Sequence, residues 1–208
     1  MRHILITALA FLITISVNAQ QTEVPVETEW TVPPSQLNNR YFKDVNNVLD
    51  KFVGTWKYEN TLNNAVFEIT FSKLLHQETH ENSFVDELDA QFKLTVNGVE
   101  IYNTYTTPCE NCIISDGFLS EKVYQTLGDY ENFLILPPNV NTYFMAIAEP
   151  DIEKHVLSSD LKLEFNLGSN GNADQLTWTN KVDLGKDSNT NQIVNNYEMP
   201  LNMVLVKQ

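Results

Sequence analysis

The sequence predicts an all-β fold, a single antiparallel β-barrel of about 8–10 strands with a short helical segment before the first strand. The run LDKFVGTWKYE (residues 49–59) opens a long series of strands with a period of two, and the chain ends in the apolar strand LNMVLVKQ (residues 201–208). Because an unpaired terminal strand would be an adhesive edge, we expect residues 203–207 to pair with the strand around Trp56 and close the sheet.

Two hairpins are the clearest local features. In residues 90–96 every second residue is apolar, Asn97-Gly98 supplies a two-residue turn, and residues 99–105 return. Residues 160–168 and 175–182 alternate in the same way around the turn sequence SNGNAD. Such alternation is typical of antiparallel sheets with one buried face. Further strands are expected at residues 65–73, 113–119, 133–136 and 142–148.

The region before the first barrel strand predicts three segments. Residues 1–19 combine a positive start, a short apolar core and a small-residue ending, the pattern of a secretory signal peptide. Residues 20–36, rich in proline and polar side chains, predict an extended, poorly ordered leader. Residues 37–208 then form one barrel domain, with one or two helical turns in residues 37–52 where apolar residues recur at helical spacing. We therefore expect a secreted or periplasmic protein.

Charge and hydropathy limit the partners. The chain is acidic, with a formal net charge of −14, and nucleic-acid binding would require a basic patch. After residues 1–19, no apolar run approaches the roughly 20 residues of a membrane-spanning helix. We expect no nucleic-acid partner, no stable membrane insertion and no cofactor; a small hydrophobic ligand or a protein partner is compatible with the composition.

Four patches, LDKFVGTWKYEN, FKLTVNGVEIYNT, QLTWT and PLNMVLVKQ, resemble an uncharacterised family of small secreted Bacteroidetes proteins, described as lipocalin-like and as a domain of unknown function. The resemblance implies an exported lipocalin-like barrel and no established activity. In lipocalins a tryptophan closes the barrel floor beneath a basic side chain from near the last strand. Gly54 and Trp56 match the first half of this barrel-floor motif, and Lys207 is the only basic residue of the last strand.

The pair Cys109 and Cys112 is the sharpest chemical motif, and a redox pair, half of a zinc site or a local disulfide are its three interpretations. A redox motif requires a reactive thiolate at a helix start in a βαβ setting, whereas Glu110 and a β-rich chain surround this pair. A zinc ribbon requires a second cysteine pair, and the chain has two cysteines in all. In an exported protein we expect a structural disulfide.

Other metal-ligating residues give no recognised motif. His76 and His80 lie four residues apart, but Gln77 stands where a metalloprotease has its catalytic glutamate. A non-catalytic metal site at His76 and His80 is the alternative to a polar surface loop. The acidic run around Asp86 lacks the spaced oxygen ligands and glycine of a calcium loop, and is interpreted as a solvated strand edge.

No catalytic motif is legible, so we expect a non-enzymatic protein. Large aromatic residues on the apolar strand faces would line a cavity in a wide barrel or fill a narrow one. The leading hypothesis is a module that binds a small apolar ligand or a partner at a barrel mouth. The alternative is a filled barrel that acts through loops such as residues 121–154, and the third is a thiol-redox or other enzyme. The candidate lining residues are Phe67, Phe71, Phe92, Phe165 and Trp178.

Overall fold

The computed structural model describes residues 21–79, 82–109, 112–119, 122–127, 130–135, 139–150, 156–184 and 197–208. Strands dominate these ranges, accompanied by two 3-10 helices, Val26–Thr31 and Pro34–Gln36, and the predicted all-β class is confirmed. The strands are β1 (Thr22–Pro25), β2 (Arg40–Lys43), β3 (Gly54–Asn60), β4 (Ala65–Glu78), β5 (Phe84–Val96), β6 (Val99–Asn103), β7 (Ile113–Phe118), β8 (Lys122–Leu127), β9 (Tyr130–Ile135), β10 (Thr142–Ile147), β11 (Val156–Asn166), β12 (Gln175–Leu184) and β13 (Asn202–Lys207).

Eleven of the strands form one mixed sheet. Its order is β1-β2-β5-β4-β3-β13-β12-β11-β10-β7, and β6 pairs with β5 beside this path. The β1–β2 and β2–β5 pairs are parallel, and the other pairs are antiparallel. The hairpin of β8 and β9 is a separate two-stranded sheet.

The expected pairing of the chain's last strand is confirmed. Strand β13 lies between β3 and β12, with Lys207 opposite Trp56 and Val206 opposite Lys57. Both predicted hairpins also form, as β5–β6 and β11–β12. Asn97 and Gly98 have φ values of 52° and 78°, and a type I′ turn requires this left-handed backbone at both central positions.

The expectation of a closed barrel is wrong for the strands that the structure describes. The sheet curls, but β1 and β7 remain its two ends. Strand β5 pairs with β2 along its first residues and with β6 along its last residues. Between these two pairings, the backbone N–H of Leu88 donates a hydrogen bond to the hydroxyl of Tyr143 on β10, at 3.0 Å. A side-chain hydrogen bond therefore spans the gap where a barrel would have a strand ladder.

A glycine makes this side-chain bridge possible. The ring of Tyr143 passes so close to β7 that a Cβ on Gly117 would lie 2.0 Å from the tyrosine hydroxyl oxygen. Any larger residue at this position must displace the ring, because 2.0 Å is far inside van der Waals contact.

The segments before β3 also differ from expectation. Residues 37–52 contain β2 and turns instead of a helix, because Asn39 and Asn47 adopt left-handed backbone, with φ of 62° and 53°. The apolar spacing that suggested a helix instead places Val48, Leu49 and Phe52 in the core from consecutive turns. Within the segment expected to be an extended leader, residues 22–36 form β1 and the two 3-10 helices. The predicted signal peptide, residues 1–19, lies outside the described residues.

One end of the curled sheet is closed by aromatic packing. The indole N–H of Trp56 donates to the carbonyl of Phe52 at 2.7 Å, and both side chains are fully buried. The ring of Phe165 lies 6.2 Å from Phe52 and 6.4 Å from Trp56. We call this the Trp56 end, and the opposite end, where β3 and β12 finish and β4 begins, the far end. Among the described residues, no helix is long and apolar enough to cross a membrane.

Candidate functional site

The inward-facing residues of β11 and β12 change from apolar to polar toward the far end. On β12, Leu176 and Trp178 are followed by Asn180, and all three are buried. On the adjacent β11, Leu161 lies on the same buried face as Ser159, which is 4% exposed. Period-two alternation thus carries two polar side chains into the interior, where the hydroxyl of Ser159 donates to the side-chain carbonyl of Asn180 at 2.8 Å.

Three further residues from other parts of the chain are grouped with this pair: Tyr197 by a hydrogen bond to Asn180, Glu149 by hydrogen bonds to the backbone next to Tyr197, and Tyr102 because the charge of Glu149 raises its pKa. Tyr102 comes from β6, Glu149 follows β10, and Tyr197 precedes β13. The amide of Asn180 donates to the hydroxyl of Tyr197 at 2.7 Å, and that hydroxyl lies 3.5 Å from the sulfur of Met199, a weak acceptor. We call Tyr102, Glu149, Ser159, Asn180 and Tyr197 the interior polar cluster.

Glu149 anchors the segment that leads into β13. The residue is 6% exposed, and Oε1 of its carboxylate accepts the backbone N–H of Glu198 at 2.6 Å and that of Met199. Hydrogen bonds to a charged acceptor are stronger than neutral ones, so this carboxylate fixes residues 197–200 beside the cluster.

Tyr102 is the member of the cluster with an unfilled hydrogen-bonding capacity. It lies opposite Leu94 in the β5–β6 hairpin, and its ring meets that of Phe92 edge-on at 5.6 Å. Its hydroxyl oxygen is buried and has no hydrogen-bond partner among the residues that the structure describes. A buried hydroxyl left unpaired costs roughly 1–3 kcal/mol, so this group requires an explanation beyond packing.

Both phenols of the cluster stay protonated. Burial raises the pKa of Tyr102 far above its usual value, and the negative charge of Glu149 raises it further. Burial and the charge of Glu149 also raise the pKa of Tyr197, against the smaller lowering effect of the Asn180 hydrogen bond. The two hydroxyls therefore act as neutral hydrogen-bonding groups, not as phenolate bases or nucleophiles.

The five aromatic candidates divide between the two ends. Phe67 contacts Phe92 at 6.1 Å and Trp178 at 5.4 Å between ring centroids, which makes a packed aromatic layer of these three residues. Because Trp178 is the inward residue before Asn180, and Phe92 contacts Tyr102, this layer forms the floor of the interior polar cluster. Phe71 is buried, pairing with Gly54, and Phe165 is partly buried; both lie toward the Trp56 end.

Gly54, Trp56 and Lys207 lie together at the Trp56 end. The ammonium of Lys207 lies 5.1 Å from the ring centroid of Trp56, a cation–π distance. Gly54 has a φ of 117°, and a Cβ there would lie 3.4 Å from Cε of Lys207. Glycine at this position therefore provides both the backbone conformation and the space for the lysine stem.

The expected disulfide is confirmed: Cys109 and Cys112 are bonded, which leaves no free cysteine. Cys112 is 2% exposed, and its carbonyl accepts the backbone N–H of Ala148 at 2.7 Å. Because Ala148 precedes Glu149, the disulfide supports the backbone beside the interior polar cluster.

His76 has a packing role in the structure, and His80 lies outside the described residues. His76 occupies a bulge in β4 with a φ of 57°, stacks on Phe84 at 4.1 Å and meets Tyr41 edge-on at 4.6 Å. Its Nε2 lies 2.8 Å from Oε1 of Gln21. Among the described residues no three metal-ligating side chains come together.

Below His76 lies a buried acidic group that the sequence interpretation missed. Asp86, expected on a solvated edge, is 3% exposed and accepts three hydrogen bonds. Its Oδ1 accepts the hydroxyl of Tyr41 at 2.6 Å and the backbone N–H of His76 at 3.0 Å, and its Oδ2 accepts the backbone N–H of Asp44 at 2.9 Å. Asp86 therefore joins β2 to the bulge of β4, and its role is structural.

A shallow cleft lies on the outer face of the sheet. It measures about 530 Å³ and follows the seam where β3 and β13 pair over two residues. The candidate aromatic residues do not line it; its lining residues are Lys57, Tyr58, Glu59, Val204, Val206 and Gln208.

Part of the interior polar cluster carries a sequence signal. Asn180 and Ser159 are polar residues at positions where strand alternation predicts apolar ones, and Tyr102 is placed by the Asn-Gly turn. Glu149 and Tyr197 stand in no recognisable pattern, because only the curl of the sheet brings them to the cluster.

Comparison with known proteins identifies a family for this chain but does not identify an activity. No curated protein and no solved structure matches the chain. A family model described as "Family of unknown function (DUF6705)" matches residues 1–208. The expected resemblance to a family of unknown function is thereby confirmed, whereas the match carries no information on source organism or on kinship with lipocalins. The chain belongs to this family of unknown function.

Proposed function

We propose that this protein is an exported, non-enzymatic binding module that takes one small, largely apolar ligand at the far end of its curled sheet. The ligand's polar group would meet the interior polar cluster, and its apolar body would lie toward the far opening. The buried, unpartnered hydroxyl of Tyr102 carries this proposal, because a ligand would supply the missing partner.

The two ends of the sheet differ in a way that supports one opening. Phe52, Trp56 and Lys207 pack over the Trp56 end, in the arrangement that the lipocalin resemblance implies for a closed floor. The far end carries buried polar groups above the aromatic layer of Phe67, Phe92 and Trp178. A lipocalin-like mode of binding, with one closed and one open end, fits this asymmetry.

The chemistry of the cluster favours binding over catalysis. The raised pKa values of Tyr102 and Tyr197 keep both phenols neutral, and Glu149 already accepts two backbone N–H groups. A general base or nucleophile would have to be freed from these interactions before it could react. An exported location is supported by the signal-like residues 1–19 and by the disulfide.

The second candidate function is that of an interaction protein, in which side chains fill the interior of the curled sheet and the surface loops bind a partner. The close ring contacts of Phe67 with Phe92 and Trp178 favour it, because they fill the middle of the interior. The two candidate functions differ in what occupies the interior between that aromatic layer and the far end. It is a ligand in the first, and only the protein's own side chains in the second.

Native mass spectrometry of the protein from its natural host, under non-reducing conditions, is the first test. A non-covalent adduct that disappears on denaturation would support the binding module. The second test titrates the purified protein with the neutral fluorescent probe N-phenyl-1-naphthylamine. A saturable, one-to-one rise in fluorescence supports the proposal; a bare mass together with no saturable probe binding would refute it and favour the filled sheet.

A further inference from the structure

We propose that the place where β3 and β13 separate binds an extended segment of another protein, which adds a strand to the open backbone edges there. We call this place the β3–β13 seam; it comprises residues 57–60 of β3 and residues 202–206 of β13. None of these residues belongs to the interior polar cluster, so this partner and the proposed small ligand are independent of each other.

The ladder between β3 and β13 ends early, although both strands continue. Its last pair is Val206 with Lys57, whereas β3 extends to Asn60 and β13 begins at Asn202. Among the described strands, none pairs with these remaining residues on the side of the seam. Because the two strands part toward the far end, each has an open edge, and an open edge is a template for a further strand.

The hydrogen-bond pattern identifies the backbone groups on these edges. In an antiparallel ladder, every second residue turns its N–H and C=O toward a given neighbouring strand. The N–H of Gln208 donates to the carbonyl of Thr55 on β3, and the N–H of Lys207 donates in the opposite direction, to the residue before β12. The same alternation turns the backbone groups of Val204 toward the seam from β13, and those of Glu59 from β3.

The cleft on the outer face of the sheet coincides with this seam. Its volume is about 530 Å³, and β3 lines one side of it while β13 and Gln208 line the other. Tyr58 lines the cleft although it lies opposite Phe67 and packs against the core. The cleft therefore passes between the two strands, where an apolar side chain of a partner strand would contact Tyr58.

The outward-facing side chains of the seam favour a basic residue in the partner. Val204 and Val206 are 46% and 37% exposed. Across the cleft, Lys57 forms an ion pair with Glu59 at 2.5 Å and lies opposite Glu68 on β4, so one cation stands beside two carboxylates. A partner lysine would cover the valines with its apolar stem and meet the surplus negative charge with its ammonium group.

The charge of the whole chain disfavours a second copy as the occupant. Each copy has a formal net charge of −14, so two copies repel each other, whereas a basic segment is attracted. The partner segment is therefore extended, alternates apolar with polar residues, and carries a lysine or arginine at the position that faces Glu59. Main-chain hydrogen bonds give affinity in this mode of recognition, and alternate side chains give specificity.

The test titrates the ¹⁵N-labelled, full-length mature protein with the peptide acetyl-Thr-Val-Lys-Val-Thr-amide and follows the backbone amides by NMR. We expect saturable shifts at residues 57–60 and 202–206, with a dissociation constant of about 1 mM or below. The matched control peptide carries N-methyl groups on the backbone nitrogens of its three central residues. It keeps the side chains but loses the donors, so it should bind about tenfold more weakly.

A pair of variants tests the charge of the seam. At low ionic strength, Glu59→Lys should weaken binding of the lysine peptide about fivefold and strengthen binding of acetyl-Thr-Val-Glu-Val-Thr-amide. Glu100→Lys is the control, because it changes the net charge equally at another exposed carboxylate that pairs with a lysine, on β6. It should change either affinity by less than about twofold.

Four results would overturn this assignment. They are the absence of shifts at the seam, equal binding of the N-methylated peptide, equal effects of Glu59→Lys and Glu100→Lys, and self-association of the free protein that shifts the seam amides, which would make a second copy the occupant. Each of them leaves the proposed small-ligand function standing, because that function is tested by adducts and probe binding at the far end.

Discussion

Replacing Asp86 with alanine should destabilise the protein severely, although this residue stands in an acidic run that looks solvated. The residue is 3% exposed, and its carboxylate accepts hydrogen bonds from the Tyr41 hydroxyl and from the backbone N–H groups of Asp44 and His76. The hydrogen bond from Asp44 is buried and the other two are part-buried, and a donor left buried without an acceptor costs roughly 1–3 kcal/mol. The three together predict a loss of about 3–5 kcal/mol in the free energy of unfolding, because water entering the vacated space offsets part of the sum.

A double-mutant cycle separates the hydrogen bonds from a general loss of packing. Tyr41→Phe alone should cost about 2 kcal/mol, since it removes one hydrogen bond to a charged acceptor. In the Asp86→Ala background the same change should cost close to nothing, because the hydroxyl has already lost its partner. Asp89→Ala on the same strand is the matched control and should change stability by less than about 0.5 kcal/mol.

Urea unfolding followed by tryptophan fluorescence measures these differences by linear extrapolation. Asp86→Asn keeps one acceptor oxygen and provides an intermediate variant if Asp86→Ala does not fold. The explanation would be refuted by a loss below about 1 kcal/mol in Asp86→Ala, or by an equal cost of Tyr41→Phe in both backgrounds.

Three further predictions concern the rest of the molecule. Tyr102→Phe should raise the free energy of unfolding of the ligand-free protein by about 1 kcal/mol, because it removes an unpaired buried hydroxyl; a loss on urea unfolding would contradict this. Replacing both Cys109 and Cys112 with serine should lower the free energy of unfolding by about 2 kcal/mol in the same assay under non-reducing conditions, which is the chain-entropy value for so short a loop. Adding reductant should bring the stability of the unmodified protein closer to that of the variant, because it opens the disulfide. The raised pKa values of Tyr102 and Tyr197 mean that the folded state favours the neutral phenols. The two phenols therefore contribute to the free energy of unfolding below pH 10, and this contribution should be lost as the pH rises through their folded-state pKa values. Phenolate absorbance and circular dichroism should therefore change together; ionisation of all the tyrosines without loss of structure would argue against this.

The strands themselves were predictable because their signals are local. The alternation in residues 90–96 and 175–182 and the Asn97-Gly98 turn specify which residues face inward and where the chain reverses. The pairing of β13 with β3 followed from the need to cover a terminal edge. The contact of Lys207 with Trp56 was suggested by the family resemblance, and the register places the two residues opposite each other.

The failure to close into a barrel had no local signal. Pairing of β1 with β2 and of β2 with β5 joins residues far apart in the chain, and parallel pairing leaves no short turn in the sequence to mark it. The buried role of Asp86 follows from that pairing, because β2 supplies Tyr41 as its donor. A charged residue in an acidic run looks solvated until its partners are known.

By itself the sequence determined the β-class, two hairpins, the strand alternation and the position of the one possible disulfide, since each depends on neighbouring residues. Only the tertiary structure decided which polar residues share the interior. Alternation turned Ser159 and Asn180 inward, but the curl of the sheet brought Tyr197 and Glu149 to them. Burial, which removes water and fixes the protonation of the phenols, is a property of that assembled arrangement and of no single segment.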